Sequence, residues 1–377
     1  MVEHTRMATG TENTRWRVIG SSVSGASHIR GGIPNQDALG WLQKSGSRRS
    51  LIVAASDGHG SPKYFRSHIG SRLAVETAIT LAQEFLNGQP DSKNLSAIKR
   101  TAEERLPQEL SRRWREAVES HIENNPFSDE ELAALEKKDG VAAREAVQNK
   151  PVHAYGATIL TALVEESFIL YLQLGDGDIL LVSDGGDVER PLPKDERLFA
   201  NETTSLSSQS AWSDFRFSFQ TLAGPPPALI LLSTDGYANS FISEEAFLKV
   251  GKDLLEMIRA DGLDEVNQNL ETWLNEASAA GSGDDITLAI ICRADALRRP
   301  DQDSLTAAAS PVEETLSAQT KATDTDSAEP AGPPADSSPT ESSSTEPLST
   351  ESSSSESTSD KPSPAEQPSV APEEEKP

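Results

Sequence analysis

Five aspartates stand where strands should begin or end: Asp37, Asp57, Asp176, Asp235 and Asp284. The clearest is Asp57, which closes the run Leu51-Ile-Val-Ala-Ala-Ser and is followed by Gly58-His59-Gly60. An apolar, partly β-branched run that stops at Asp-Gly puts a carboxylate at a strand end. The glycine lets the backbone approach a ligand closely. The Gly58 carbonyl can then join the Asp57 side chain on a hard cation, with His59 beside them as a proton carrier. Taken singly, each aspartate also reads as an ordinary turn or cap residue. If the strands pair antiparallel, however, several of these ends converge on one edge. Two carboxylates about 4 Å apart repel by roughly 4 kcal/mol at an effective dielectric near 20. Such a cluster persists only with cations among its members, and oxygen ligands without a Cys or His set at metal spacing select Mg2+ or Mn2+ over Zn2+.

Strands are expected over 16–24, 38–44, 51–56, 155–165, 168–174, 179–183, 215–222, 228–234 and 286–292, from alternating or continuous apolar runs bounded by Gly, Pro and Asp. The link 28–37 reads as a polar, glycine-rich loop. The short spacing around Gly175-Asp176-Gly177 reads as a hairpin turn. Val75, Ala78, Ile79, Ala82, Phe85 and Leu86 recur at helical spacing up to Gly88-Gln89-Pro90. A second helix carries Leu106, Leu110, Trp114, Val118 and Ile122 on one face, with Pro107 at its start or at a kink. Residues 124–150, charged and alanine-rich, form a helical excursion, and helical periodicity returns over 244–279. The irregular stretch 184–214 is read as a functional flap. Hairpin-linked strands with helices inserted in pairs imply an α+β fold, a four-layer αββα sandwich of two packed antiparallel sheets flanked by helices.

The 377 residues carry a formal net charge of -26, which argues against nucleic acid or an anionic membrane as the partner. Residues 301–377 hold 17 of the acidic residues against 3 lysines, so about half of that acidity belongs to the tail. The tail is rich in Ser, Thr, Pro and Glu, and no aromatic residue follows Trp273. It buries too little apolar surface to offset lost chain entropy, so disorder is expected. The implied organisation is a flexible segment 1–14, a catalytic domain 15–295 and a disordered acidic tail 296–377. The single cysteine, Cys292, lies in an apolar strand and lacks the flanking residues of a cysteine phosphatase. With no long apolar run and no leader-like start, a cytoplasmic protein is expected.

The ordered set Asn35-Gln36-Asp37-Ala38, Ser56-Asp57-Gly58-His59-Gly60, Gly156-Ala157-Thr158, Leu174-Gly175-Asp176, Ser233-Thr234-Asp235-Gly236 and Gly283-Asp284-Asp285-Ile286-Thr287 resembles the metal-dependent protein phosphatases of the 2C type, in particular bacterial members. The resemblance spans roughly residues 15 to 295. It implies hydrolysis of phosphoserine and phosphothreonine in proteins by a metal-bridging water, opposing a Ser/Thr protein kinase. It implies that Asp57 bridges two Mn2+ or Mg2+ ions and that the Gly58 carbonyl binds one of them. Asp235 and Asp284 would ligate the first metal, Asp37 would hold metal-bound water, and Asp176 would serve a third, weaker site. His59 would protonate the leaving oxygen.

Three positions depart from the family pattern. Gln36 stands where many relatives have Glu, so the second metal gains no charge from it. Asp285 stands at a common Asn. Gly32 occupies the place of the arginine that clamps the substrate phosphate, which leaves Arg30 or His28 for that task. A second class of function is a catalytically weak module that binds phosphoprotein or partner proteins through flap and tail. Retention of Asp57, Asp235 and Asp284 argues against it, because binding alone does not require a repelling carboxylate cluster.

Overall fold

The computed structural model describes residues 15–44, 50–89, 94–195 and 204–297. The chain opens with strand β1 (Trp16–Val23), a short helix α1 (Ala26–Gly31), and strands β2 (Ala38–Lys44) and β3 (Ser50–Ser56). A 3-10 turn at Pro62–Tyr64 leads into helices α2 (Ser67–Asn87), α3 (Leu95–Asn124), α4 (Asp129–Asp139) and α5 (Val141–Asn149). Strands β4 (Ile159–Val164), β5 (Phe168–Leu174), β6 (Asp178–Val182), β7 (Val188–Glu189), β8 (Arg216–Thr221) and β9 (Leu229–Ser233) follow. Helices α6 (Asp235–Ala238), α7 (Glu244–Asp261) and α8 (Leu263–Ala280) precede the last strand, β10 (Ile286–Arg293).

Two five-stranded sheets, ordered β1-β10-β9-β6-β7 and β2-β3-β4-β5-β8, are antiparallel throughout. Their inner faces meet through Leu51, Val53, Tyr171, Ile230, Leu232 and Ile291. Helices α2 and α3 cover the outer face of the β3 sheet through Val75, Ala78, Leu110 and Trp114. Helices α7 and α8 cover the other sheet through Leu254, Leu255, Ile258 and Leu270. This is the expected αββα sandwich. Burial on both faces explains why β3 is an unbroken apolar run, buried at every position, instead of an alternating one.

Some local expectations need correction. The turn between β5 and β6 is not a hairpin: the two strands belong to different sheets, and Gly175–Gly177 carries the chain from one to the other. Gly175 makes this crossing at φ +107, and a Cβ there would lie 2.5 Å from the Thr158 side chain. The link after β1 is not all loop, because residues 26–31 close a turn of helix capped by Gly32 at φ 65. Helix α3 starts well before Pro107, at Asn94, whose side chain accepts from Ala97 N, so the proline sits inside it. Residues 151–155 are a 3-10 turn, which delays β4 to Ile159.

Of the stretch read as a flap, the described part returns to the sheet edge, where Leu206 N donates to Ala157 O at 2.9 Å. Ala296 and Leu297 pack into the α7/α8 core, so the packed chain runs slightly past residue 295. The segment 1–14 and the rest of the acidic tail lie outside the described residues. Among the described residues no helix is long and apolar enough to cross a membrane.

Candidate metal centre

Antiparallel pairing brings the aspartate-bearing ends together. The start of β2 pairs with the end of β3 (Ala38 with Ser56), and the start of β4 pairs with the end of β5 (Ile159 with Leu174). In the other sheet, Ser233 at the end of β9 faces Asp178 at the start of β6 and Leu288 near the start of β10. The acidic residues just beyond these ends therefore share one edge of the sandwich. A carboxylate oxygen from each of Asp57, Asp176 and Asp235 lies within 4.8 Å of the others.

Neighbouring groups fix the segments that carry these carboxylates. Asp57 N donates to Thr158 Oγ1 at 3.0 Å and Thr158 N to Asp57 O at 2.8 Å, which ties the end of β3 to the approach to β4. Gly58 forms a bridge with Ala157, and a Cβ on it would lie 2.6 Å from Gln36 O and 2.8 Å from Ser67 O. No other residue fits that position. Asp235 opens α6, where Asn239 Nδ2 donates to its Oδ2 at 3.0 Å. A Cβ at Gly236 would collide with Asp285 O, which keeps α6 hard against the start of β10. Asp37 accepts from Thr234 Oγ1 at 2.7 Å through Oδ2, whereas its buried Oδ1 has no hydrogen-bond partner. Gln36 gives its amide NH2 to Ser67 Oγ at 2.6 Å, and its Oε1 is likewise buried without a partner.

The electrostatics follow from this crowding. Burial first, then the charges of Asp37, Asp235 and Asp176, hold the Asp57 carboxyl well above the usual carboxylate range. Burial, then Asp285, does the same for Asp37. Burial, Asp176 and Asp284 push Asp235 up to about 6, even though it shares a hydrogen-bonding contact with Asp57. Anionic oxygens gathered this closely, with two buried acceptors lacking any donor, fit a divalent cation bound by oxygen. Asp57, Gly58, Asp176 and Asp235 are the residues that would hold such ions, with Asp284 and Asp37 at the margins.

Asp284 falls in a neighbouring group with His28 and Asp285, not in the tight set with Asp57. His28 Nδ1 lies 2.9 Å from Asp285 Oδ2, too oblique for a well-aligned hydrogen bond, and Nε2 lies 3.8 Å from Asp284 Oδ1. Arg30, the other candidate for the phosphate, is exposed on α1, with no hydrogen bond or ion pair among the described residues. His59 N donates to Gly156 O at 3.1 Å, and its ring packs against Tyr64 at 4.8 Å between centroids. Burial, and next the charge of Lys63, push its imidazole down to about 4.

Sequence reasoning missed the threonines that orient these groups. Thr158 and Thr234 stand inside the quoted motifs, and their β-hydroxyls beside the aspartates were the available signal. It also missed Arg66. This buried guanidinium bonds Glu131, Tyr155 Oη and the carbonyls of Asn125 and Pro126, and so pins α4 to the segment behind His59.

A family model described as "Protein phosphatase 2C" matches residues 24–275. Several solved structures are similar in fold. The catalytic domain of the serine threonine protein phosphatase PstP in complex with 2 manganese ions is 16% identical, with a TM-score of 0.44 over 74% of this chain and 97% of that one. The Mycobacterium tuberculosis serine/threonine phosphatase PstP/Ppp gives 16% and 0.44, over 74% and 98%. The serine/threonine phosphatase Stp1 from Staphylococcus aureus gives 14% and 0.46, over 77% and 99%. Among curated protein sequences, none matches this chain.

Proposed function

This chain belongs to the protein phosphatase 2C family and is a protein serine/threonine phosphatase, and we propose that its aspartate edge binds divalent cations that drive hydrolysis of phosphoserine and phosphothreonine in protein substrates. The observation that carries this reading is the set Asp57, Asp176 and Asp235, with oxygens within 4.8 Å, beside the partnerless buried Oδ1 of Asp37. When bound, Mn2+ or Mg2+ would supply the Lewis acidity that activates water for attack on the phosphoester.

In this reading Asp57, the Gly58 carbonyl, Asp235 and Asp284 would hold the two ions. Asp37 orients water through Oδ1, and Asp176 serves a third, weaker site. Thr234 keeps the Asp37 carboxylate turned by holding Oδ2. His59, whose backbone N–H is held by Gly156 O, would protonate the leaving oxygen. A neutral imidazole gives only a hydrogen bond, so its work as an acid requires a bound phosphate dianion to raise its proton affinity. Arg30, exposed on α1, or His28, close to Asp285 and Asp284, would supply the positive charge that an incoming phosphate needs.

The substrates are phosphoproteins made by a Ser/Thr protein kinase, in the cytoplasm, and the catalytic domain runs from residue 15 to just past 295, with the segments before and after it outside the chemistry. The test is phosphothreonine-peptide turnover by the full chain in Mn2+, Mg2+ and chelator, with wild type and Asp235→Asn. Turnover is expected with metal, and its loss in chelator and in the variant. Turnover that survives chelator refutes the reading.

A further inference from the structure

Asp285 adjoins the metal centre without belonging to its tight carboxylate set, and it is 4% exposed. Both of its oxygens are occupied by backbone. Gly25 N donates to Oδ1 at 2.6 Å and Gln36 N donates to Oδ2 at 2.6 Å. Gly25 lies between β1 and α1, and Gln36 immediately precedes Asp37. Asp285 itself follows Asp284, and its own N–H donates to Asp284 Oδ1 at 2.9 Å. One buried side chain thus joins three chain segments, two of which carry candidate ligands at the adjoining residue.

The surroundings tighten this joint. Ser27 N donates to Gly283 O at 2.9 Å, and Ala26 N to Ser278 Oγ at 3.0 Å, whose hydroxyl donates to Asp284 O at 2.8 Å. A Cβ on Gly25 would lie 2.4 Å from the Asp284 carbonyl carbon, so the backbones touch directly. On the far side, Thr234 Oγ1 donates to Asp37 Oδ2 at 2.7 Å and accepts from Thr287 N at 2.9 Å.

We infer that Asp285 is a positioning residue for the metal centre: by accepting the N–H groups of Gly25 and Gln36 together, its carboxylate sets the spacing of Asp37 and Asp284 and so the affinity for the cations. This rests on the metal centre proposed above. The chemistry accounts for a further negative charge in so acidic a place. An amide at this position offers one oxygen, and its NH2 would meet the second N–H donor to donor, leaving a buried backbone group unpaired. A carboxylate satisfies both, and outer residues that fix ligands in this way commonly tune metal affinity.

The test is calorimetric titration of metal-stripped full-length protein with Mn2+, comparing wild type with Asp285→Asn. The expected result is binding weakened about 10- to 100-fold in the variant. At saturating Mn2+, kcat should return to within about threefold of wild type with KM for a phosphothreonine peptide unchanged, as befits a group that does not touch substrate. Equal Mn2+ binding by both proteins overturns the inference, and so does a kcat that saturating Mn2+ cannot restore. Wild-type protein that binds no Mn2+ overturns the metal centre itself, and the inference with it. Should the variant not fold, amide hydrogen exchange on metal-stripped wild type decides: Gly25 and Gln36 N–H are expected to be protected, and exchange at the rate of exposed loop amides overturns the assignment.

Discussion

Removing one charge from the carboxylate set should stabilise the metal-free protein while destroying its response to metal. In Asp235→Asn the shape is kept and Asn Oδ1 can still accept from Asn239 Nδ2, the bond that Asp235 makes at 3.0 Å. At the outer limit of 4.8 Å between ligand oxygens, one pair of charges at an effective dielectric near 20 repels by roughly 3.5 kcal/mol. The titration points the same way. Asp235 is raised to about 6, and against an unfolded value near 3.9 that shift is worth about 3 kcal/mol. The sign is that of a raised carboxyl: the favourable contribution is whole below about pH 4 and is lost as pH rises through about 6, so near neutrality the native state carries the full penalty. Solvent relaxation and the retained charges of Asp57 and Asp176 reduce the recoverable part to about 1–3 kcal/mol, or roughly 2 to 5 °C in Tm for a domain of this size. The assay is thermal unfolding in chelator near neutral pH, followed by Mn2+ titration. Wild type should melt lower than the variant in chelator and rise with Mn2+, and the variant should stay flat. A variant that melts lower than wild type in chelator and still gains stability from Mn2+ would refute the reasoning.

Four further outcomes are expected. Wild-type protein in chelator should be more stable at about pH 5 than at about pH 7.5, because Asp37, Asp57 and Asp235 are all raised, and unfolding scans across that window will show whether the order is reversed. His59→Gln should lower kcat on a phosphoserine peptide by about 10²- to 10⁴-fold while Mn2+ affinity measured by calorimetry is preserved. Arg30→Ala should raise KM for phosphopeptide by roughly tenfold with little change in kcat, and an unchanged KM would dismiss it as the phosphate's partner. Arg66→Ala should destabilise by about 1–3 kcal/mol in denaturant unfolding, because it removes the guanidinium that bonds Glu131 at 2.7 Å and Tyr155 Oη at 2.8 Å, while Ser128 N and His121 Nδ1 still reach those two groups.

The layers were legible because their signal is local. Continuous apolar strands such as 51–55, helical spacing from Val75 to Leu86, and the breaker Gly88-Gln89-Pro90 after it each report on one element, whereas the break at Gly262 that divides 244–279 into α7 and α8 was not read. What stayed hidden depends on distant contacts. Nothing in Leu174-Gly175-Asp176-Gly177-Asp178 says that β5 and β6 part into different sheets, because that follows from Asp178 pairing with Ser233 on β9 and not with β5. The helical turn at 26–31 was equally opaque, since its stitches run to Gly283 and Ser278, some 250 positions away.

The site divides along the same line. Residue types that must touch a hard cation are few, so the five aspartates could be singled out from spacing alone, and the sheets then bring Asp57, Asp176 and Asp235 within 4.8 Å. The groups that orient them are common residues whose role exists only in three dimensions. Thr234 is an ordinary threonine until its hydroxyl is seen between Asp37 Oδ2 and Thr287 N. Asp285 read as a departure from a common Asn, whereas its carboxylate accepts the N–H groups of Gly25 and Gln36. A carboxylate that accepts two backbone donors is a brace, and one that meets other carboxylates with an oxygen left over, as Asp37 does with Oδ1, asks for a cation. On the proposed reading, two aspartates adjacent in sequence, Asp284 and Asp285, would divide between ligand and brace according to which donors the fold delivers to each.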